Sequence, residues 1–203
     1  MNTENVEDIY ELSPLQEGML FHTLLTPESG MYFEQVGFPL HGPLNVPSFE
    51  RAWQKVIDRH TILRTSFHWE DLEKPVQVVH RHVKLAVEYL DWSASAPAQQ
   101  EEGLEALLKG DRERGFELSA APLMRLILVD LGGDVRYVVF SLHHLLLDGW
   151  SSNVVYREAA ALYETFCRGE ELELPPCRPY GDYIGWLQRQ DMAKAEAYWR
   201  DTL

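Results

Sequence analysis

Hydrophobic positions along the chain fall into helical and strand periods in turn. Phe49, Ala52, Trp53, Val56, Ile57 and His60 recur at helical spacing behind Asn45, a good N-cap, and predict an amphipathic helix. Ser13-Pro14-Leu15-Gln16 has the form of a capping box with proline in the first helical position. An earlier helix therefore opens there, with Leu15, Met19 and His22 on one face and Thr26-Pro27 at its end. A strand over 32–40 ends at His41-Gly42-Pro43. Three further strands are expected over 62–69, 76–83 and 85–89, the first two joined by a turn at 71–75. Residues 97–114 read as a polar helix with Leu104, Leu107 and Leu108 together. The β-rich runs 123–130 and 135–142 flank Leu131-Gly132-Gly133-Asp134, a hairpin signal. A helix over 151–168, capped by Ser151 or Ser152 and stopped by Gly169, buries Val155, Ala159, Leu162 and Phe166. Proline-rich 170–179 reads as a linker, and 180–203 as a last helical stretch.

This order lacks regular strand–helix–strand alternation, which favours an α+β or mixed α/β sandwich over a doubly wound sheet. With 45% apolar and 25% charged residues among 203, the composition is that of a globular domain and excludes a disordered or collagen-like chain. Charge narrows the partners. Eighteen basic against 32 acidic residues give −14, which argues against nucleic acid and against an anionic membrane surface. No run approaches the ~18 apolar residues of a membrane span. Residues 1–8 are polar and acidic, unlike a secretory signal. Cys167 and Cys177 make no disulfide framework, so a reduced cytoplasmic protein is expected.

Chemistry concentrates in Phe140-Ser-Leu-His143-His144-Leu-Leu-Leu-Asp148-Gly149-Trp150-Ser151, where a strand gives way to a helix. Strand alternation puts His143 and His144 on opposite faces, so only one addresses a given cleft. Gly149 permits a tight turn and close approach. At this chain's residue frequencies, His-His-x-x-x-Asp-Gly is expected about 0.001 times by chance. Other groups have plainer readings. His80 and His82 share a strand face by parity, but no third ligand is evident and no metal is expected. His60 is a packed or helix-terminal histidine. Tyr183 and Trp186, three apart, are expected in the core, and Glu170, Glu171 and Glu173 form a solvated run.

The segment resembles the His-His-x-x-x-Asp-Gly motif of condensation domains from nonribosomal peptide synthetases, relatives of chloramphenicol acetyltransferase. Three more stretches are similar to family motifs in order and spacing: Ser13-Pro-Leu-Gln-Glu-Gly-Met-Leu-Phe-His22, Arg59-His-Thr-Ile-Leu-Arg64-Thr-Ser-Phe67 and Tyr180-Gly-Asp-Tyr183-Ile-Gly-Trp186. The four motifs are spread over essentially the whole chain, from Ser13 to Trp186.

The resemblance implies a chloramphenicol-acetyltransferase-like lobe, an α/β (α+β) two-layer sandwich with a mixed β-sheet covered by helices. Residues 1–169 would form the amino-terminal lobe, and 170–203 a linker and helix leading toward a carboxy-terminal lobe. It also implies amide formation between a donor acyl or peptidyl thioester and an acceptor aminoacyl thioester, carried on phosphopantetheine arms of carrier proteins, with no tightly bound cofactor. By position His144 is the functional histidine, acting as base or orienting the amine, and Gly149 lends backbone to the reacting carbonyl. His143 and Asp148 would be structural, with Arg64 one candidate partner for Asp148, and Trp150 and Ser151 would pack and cap the next helix. The paired histidines separate the chain from heterocyclisation relatives. Ser-Pro-Leu-Gln-Glu-Gly-Met separates it from epimerisation relatives, leaving an L-configured donor as the leading subtype. Because the family's tunnel lies between two lobes, no activity is expected of this chain alone. The alternatives are a non-catalytic lobe that binds a carrier protein or other partner, and a stand-alone acyltransferase that trimerises.

Overall fold

Two sheets organise the chain in the computed structural model, which describes residues 3–203. Strands β1 (Val6–Glu11), β3 (Thr65–His68) and β4 (Val76–His80) form an antiparallel sheet in the order β1-β4-β3. Strands β2 (Phe33–His41), β5 (Val87–Asp91), β6 (Met124–Asp130) and β7 (Val135–His143) form the other, in the order β2-β7-β6-β5. Its β5–β6 pair is parallel and the rest antiparallel, so the sheet is mixed as expected. The hairpin forms around Gly132 and Gly133, both at positive φ.

Helices cover both faces of this four-stranded sheet. Alternation along β6 sends Ile127 and Val129 toward α3 (Pro97–Arg114), where Leu104, Leu107 and Leu108 meet them. Buried Asp111 ties α3 down by accepting from Arg125 at 2.7 Å, Gln35 at 2.8 Å and the Ser141 hydroxyl at 2.5 Å. A buried carboxylate needs such partners, since leaving it unpaired costs several kcal/mol. Leu126 and Leu128 point the other way into the main core beneath α2 (Val46–Arg59) and α4 (Gly149–Cys167). There Trp53 stacks on Phe140 at 5.1 Å. The stripes read from sequence for α2 and α4 are buried, and Asn45 caps α2 by accepting from the Ser48 amide.

Four elements depart from the sequence reading. Strand β1, not anticipated, is an edge strand with apolar residues at Val6, Ile9 and Tyr10 and with Ile9 exposed, so its sequence shows no apolar alternation. Helix α1 (Pro14–Leu25) has the expected capping box, but it buries Gln16 and Leu20 while Leu15 is exposed. The expected strand 62–69 begins as a 3-10 turn over Thr61–Arg64, where three successive residues are buried and alternation fails. The last stretch breaks into α5 (Tyr180–Leu187) and α6 (Met192–Thr202) at Asp191, which caps α6. Tyr183 and Trp186 stack on each other, half exposed, rather than entering the core.

Segment 170–179 has no regular secondary structure, yet it is strapped to the body. Leu172 and Leu174 pack on the core, Glu171 pairs with Arg51, Arg59 donates to the Pro175 carbonyl, and the Tyr180 amide donates to Thr61. No helix among the described residues is long and apolar enough to cross a membrane.

His143, at the end of β7, locks this strand to α1. Its Nδ1 accepts from the Leu145 amide at 3.2 Å, so the neutral ring carries its proton on Nε2, which faces Thr23 Oγ1 at 3.5 Å. The Thr23 hydroxyl is free to accept because it donates to the Met19 carbonyl. Burial, and then the neighbouring His144, lowers the His143 pKa to about 4. A depressed histidine contributes stability that is whole above the unfolded value of 6.5 and is lost as pH falls toward 4. The loss is on the order of 3 kcal/mol. The ring proton signals of His143 should thus stay unshifted down to about pH 5, and the urea midpoint should fall between pH 6.5 and 4 more steeply than in His143→Gln. A His143 ring that titrates near 6.5 in the folded chain contradicts the assignment.

Candidate active site

The turn between β7 and α4 carries the residues singled out from sequence, and it sorts them into separate tasks. His144 follows His143 and faces the opposite way. Its amide extends the β2–β7 ladder by donating to the Tyr32 carbonyl at 2.8 Å. The side chain is 34% exposed, and its Nδ1 lies 3.0 Å from the Leu147 carbonyl. A carbonyl oxygen can only accept, so Nδ1 carries the proton and the neutral ring presents its lone pair at Nε2. The two adjacent histidines thus hold opposite tautomers: one is spent on the fold, the other leaves a proton acceptor facing outward.

Glu34 of β2 is the nearest charge to that acceptor. Its Oε2 is 3.6 Å from His144 Nε2, buried, and without a hydrogen-bond partner. Two more buried oxygens lack partners nearby in the chain, Ser152 Oγ and Tyr156 Oη, one turn apart on α4. Burial, followed by the charge of Glu34, pushes the Tyr156 phenol up to about 12, so it stays a neutral donor. Buried polar atoms without partners are costly, and several close together mark a place built for a polar visitor. Tyr156 also lines an apolar cavity of about 400 Å³ whose walls include Val36, Phe38, Trp53 and Phe140. The residues can therefore take a proton at Nε2, give the resulting imidazolium a counter-charge, and hold apolar substance alongside.

Glu34 and Tyr156 were not picked out from sequence, although a signal existed for one of them. Residues 34, 36, 38 and 40 share a face of β2, and Val36, Phe38 and Leu40 line the cavity. A glutamate on an otherwise apolar strand face is an anomaly of the kind that marks a site.

Asp148 meets Ser151 in this structure, not the arginine proposed for it. Its carboxylate caps α4, accepting from the Ser151 amide at 2.8 Å and the Ser151 hydroxyl at 2.6 Å, while its own amide donates to that hydroxyl at 2.9 Å. The Ser151 hydroxyl and amide hold the Asp148 carboxyl below the usual carboxylate range. The cap is therefore Asp148, three residues ahead of Ser151, and Ser152 is buried inside the helix. Arg64 is elsewhere: it pairs with Glu7 at 2.6 Å and donates to the His80 carbonyl, closing β1 on β4. A guanidinium committed to the small sheet cannot reach the start of α4. Trp150, expected to pack on α4, is instead 86% exposed.

Gly149 is the first residue of α4, where an amide lies outside the helix's own ladder and at the positive end of its dipole. Its φ is not left-handed, and a Cβ there would meet nothing within 4 Å. The turn itself thus does not require glycine. The strand face read as shared by His80 and His82 does not extend that far: β4 ends at His80, whose ring meets Ser66 Oγ at 2.8 Å, on the hydroxyl that also contacts His68. No group of three metal-ligating side chains occurs among the described residues.

Comparison with known proteins places the chain in a family. Residues 6–203 match the family model described as "Condensation domain". Linear gramicidin synthase subunits C and B of Brevibacillus parabrevis are 47% and 49% identical over 98% of the chain. Bacitracin synthase 1 of Bacillus licheniformis is 38% identical over 98%. The chain covers 3–4% of the length of these relatives. In three dimensions it resembles the starter condensation domain of rhizomide synthetase, with a TM-score of 0.84 at 22% identity over 97% of this chain and 50% of that one. It also resembles the first condensation domain of the calcium-dependent antibiotic synthetase, with a TM-score of 0.73 at 18% identity over 84% of this chain and 42% of that one. With its histidine turn, its mixed sheet and a family match over nearly all its length, the chain belongs to the condensation domains of nonribosomal peptide synthetases.

Proposed function

We propose that the chain supplies the histidine-bearing wall of an amide-forming site. The amine of an acceptor aminoacyl thioester attacks the carbonyl of a donor acyl or peptidyl thioester, and both substrates ride on phosphopantetheine arms of carrier proteins. A carbon–nitrogen bond forms, the carbon–sulfur bond breaks, and the donor thiol leaves with a proton. The observation that carries the reading is the bare Nε2 of His144 beside Glu34. That nitrogen takes or orients the amine proton, and Glu34 offsets the charge that forms. The amide of Gly149, at the positive end of α4, faces the oxygen of the attacked carbonyl. The apolar cavity receives the apolar part of the acyl group.

Residues 1–169 act as the amino-terminal lobe, and 170–203 lead toward a carboxy-terminal lobe that closes the site. The half-exposed rings of Tyr183, Trp186, Tyr198 and Trp199 give that lobe an aromatic surface to lie on. No cofactor is bound tightly, since the reactive carbonyl arrives already activated as a thioester.

Three outcomes test this reading. With loaded donor and acceptor carrier proteins, the isolated chain forms no dipeptide, because one wall cannot hold both arms. His144-dependent turnover by the chain alone refutes that part. Within the whole synthetase, His144→Ala lowers the condensation rate by about 10²–10⁴-fold, the usual weight of positioned acid–base catalysis. A loss below tenfold refutes the role of His144. Gly149→Ala leaves the melting temperature of the chain unchanged, since the added methyl meets open space, yet cuts condensation at least tenfold. Unimpaired turnover shows that no substrate approaches there. For the cap, Asp148→Ala destabilises by about 1 kcal/mol and Asp148→Asn by a few tenths, because asparagine caps nearly as well. Equal losses in the two variants indicate a role for charge beyond capping.

A further inference from the structure

A second cluster of reactive side chains lies away from the histidine turn, where the 170–179 strap crosses the end of α2. Cys177 Sγ is 3.4 Å from His60 Nδ1, and His60 Nε2 is 2.7 Å from Glu158 Oε2 of α4. A carboxylate accepts, so Nε2 carries the imidazole proton and Nδ1 turns its lone pair to the thiol. The thiol also has the Arg178 carbonyl at 3.6 Å. Glu158 is held in place by Arg59, whose Nε is 3.1 Å away. His60 and Glu158 are largely enclosed, whereas Cys177 is exposed and borders a cavity of about 470 Å³ lined by Lys55, Asp58, Arg59, Leu162 and Leu172. Thiol, imidazole and carboxylate in line, with the carboxylate fixing the ring, form the arrangement that activates a sulfur nucleophile. Packing alone does not call for it, because the strap is already held by Leu172, Leu174 and the Arg59–Pro175 bond.

We propose that Cys177 is a nucleophilic modification site whose partner class is a low-molecular-weight disulfide. The thiol proton passes to His60 Nδ1, and Glu158 balances the imidazolium. Sγ attacks one sulfur of the disulfide, the old S–S bond breaks and a new one forms. The departing thiolate recovers the proton from His60. One thiol and one disulfide give one mixed disulfide and one thiol, with no other oxidant. The cavity beside Cys177 holds the attached group, and the modification marks the strap between the body and α5.

Cys167 is the control within the same molecule: it is also free and exposed, but its hydrogen-bond partner is the Tyr163 phenol rather than an imidazole. The intact chain is treated briefly with an aromatic disulfide whose released thiolate is coloured, and in parallel with oxidised glutathione, and each cysteine is located by peptide mass. Cys177 should react about tenfold faster than Cys167, with both reagents. His60→Gln should bring its rate down to that of Cys167, and Glu158→Gln should give an intermediate rate, while the Cys167 rate stays as in the unsubstituted chain. Equal rates in the unsubstituted chain overturn the proposal without need of any variant. So does a fast Cys177 that is indifferent to both substitutions in chains that melt as the parent does. Rapid reaction with the aromatic reagent alone refutes the assigned partner class and leaves only a surface thiol.

Discussion

The side chain of Gln16 joins three parts of the molecule: the start of α1, strand β4 and the histidine turn. Its Oε1 accepts from the Ser13 amide at 3.0 Å, closing the capping box of α1, and from buried Gln77 of β4 at 3.0 Å. Its Nε2 donates to the Leu145 carbonyl at 3.0 Å, inside the histidine turn. All of this is buried, where an amide that loses a partner costs about 1–3 kcal/mol. The turn is therefore fixed from below by a group on the first helix, over 129 residues of sequence separation. The capping box and the histidine segment are one piece of machinery, and the offset of the buried face of α1 has the same cause. The helix turns Gln16 and Leu20 inward because the polar seam of β4 and the turn lies there, and the apolar residues left over face out.

Held in this way, the turn resolves an ambiguity that two adjacent histidines would otherwise create. The Leu145 amide and the Leu147 carbonyl lie two residues apart in the same backbone, and one donates while the other accepts. The first fixes His143 with its proton on Nε2; the second fixes His144 with its proton on Nδ1. Tautomer choice is thus set by main-chain geometry. That is a physical reason for burying a neutral histidine next to one that turns its Nε2 outward. His143 gives the backbone a rigid reference point, at the cost of sensitivity to acid.

Much of this was legible in the sequence because it rests on local rules. The period of α2, the boundaries of α3, the Gly-Gly hairpin and the cap at Ser13 follow from residues close together in the chain. What escaped depended on distant partners. Strand β1 lacks apolar alternation, and only pairing with β4, some 70 residues away, makes it a strand. Arg64 looked available to Asp148 until folding set it against Glu7 and the His80 carbonyl. His80 and His82 agreed in parity, but β4 stops between them. The sequence offered Ser151 or Ser152 as the cap and Arg64 as a partner for Asp148; the bond from the Ser151 amide makes Asp148 the cap. For the candidate site, His144 could be singled out from motif and face, whereas Glu34 comes from another strand and needed the β2–β7 pairing to bring it within reach.

Fold and site can be separated by asking which residues the fold leaves without a task. Asp148, His143 and Gln16 each satisfy partners and hold the backbone. Gly149 sits where a methyl would meet nothing, Trp150 lays a large ring in open water, and the inner oxygen of Glu34 is buried without a donor. Each of these is unfavourable or indifferent for stability; Glu34 lies beside His144 Nε2, and Gly149 and Trp150 begin the helix that follows the histidine turn. A chain folded for stability alone would place alanine, a polar residue and a paired group there. Their placement is explained if the missing partners are supplied from outside: a backbone-close substrate at Gly149, an apolar surface over Trp150, and a proton-bearing nitrogen between Glu34 and His144.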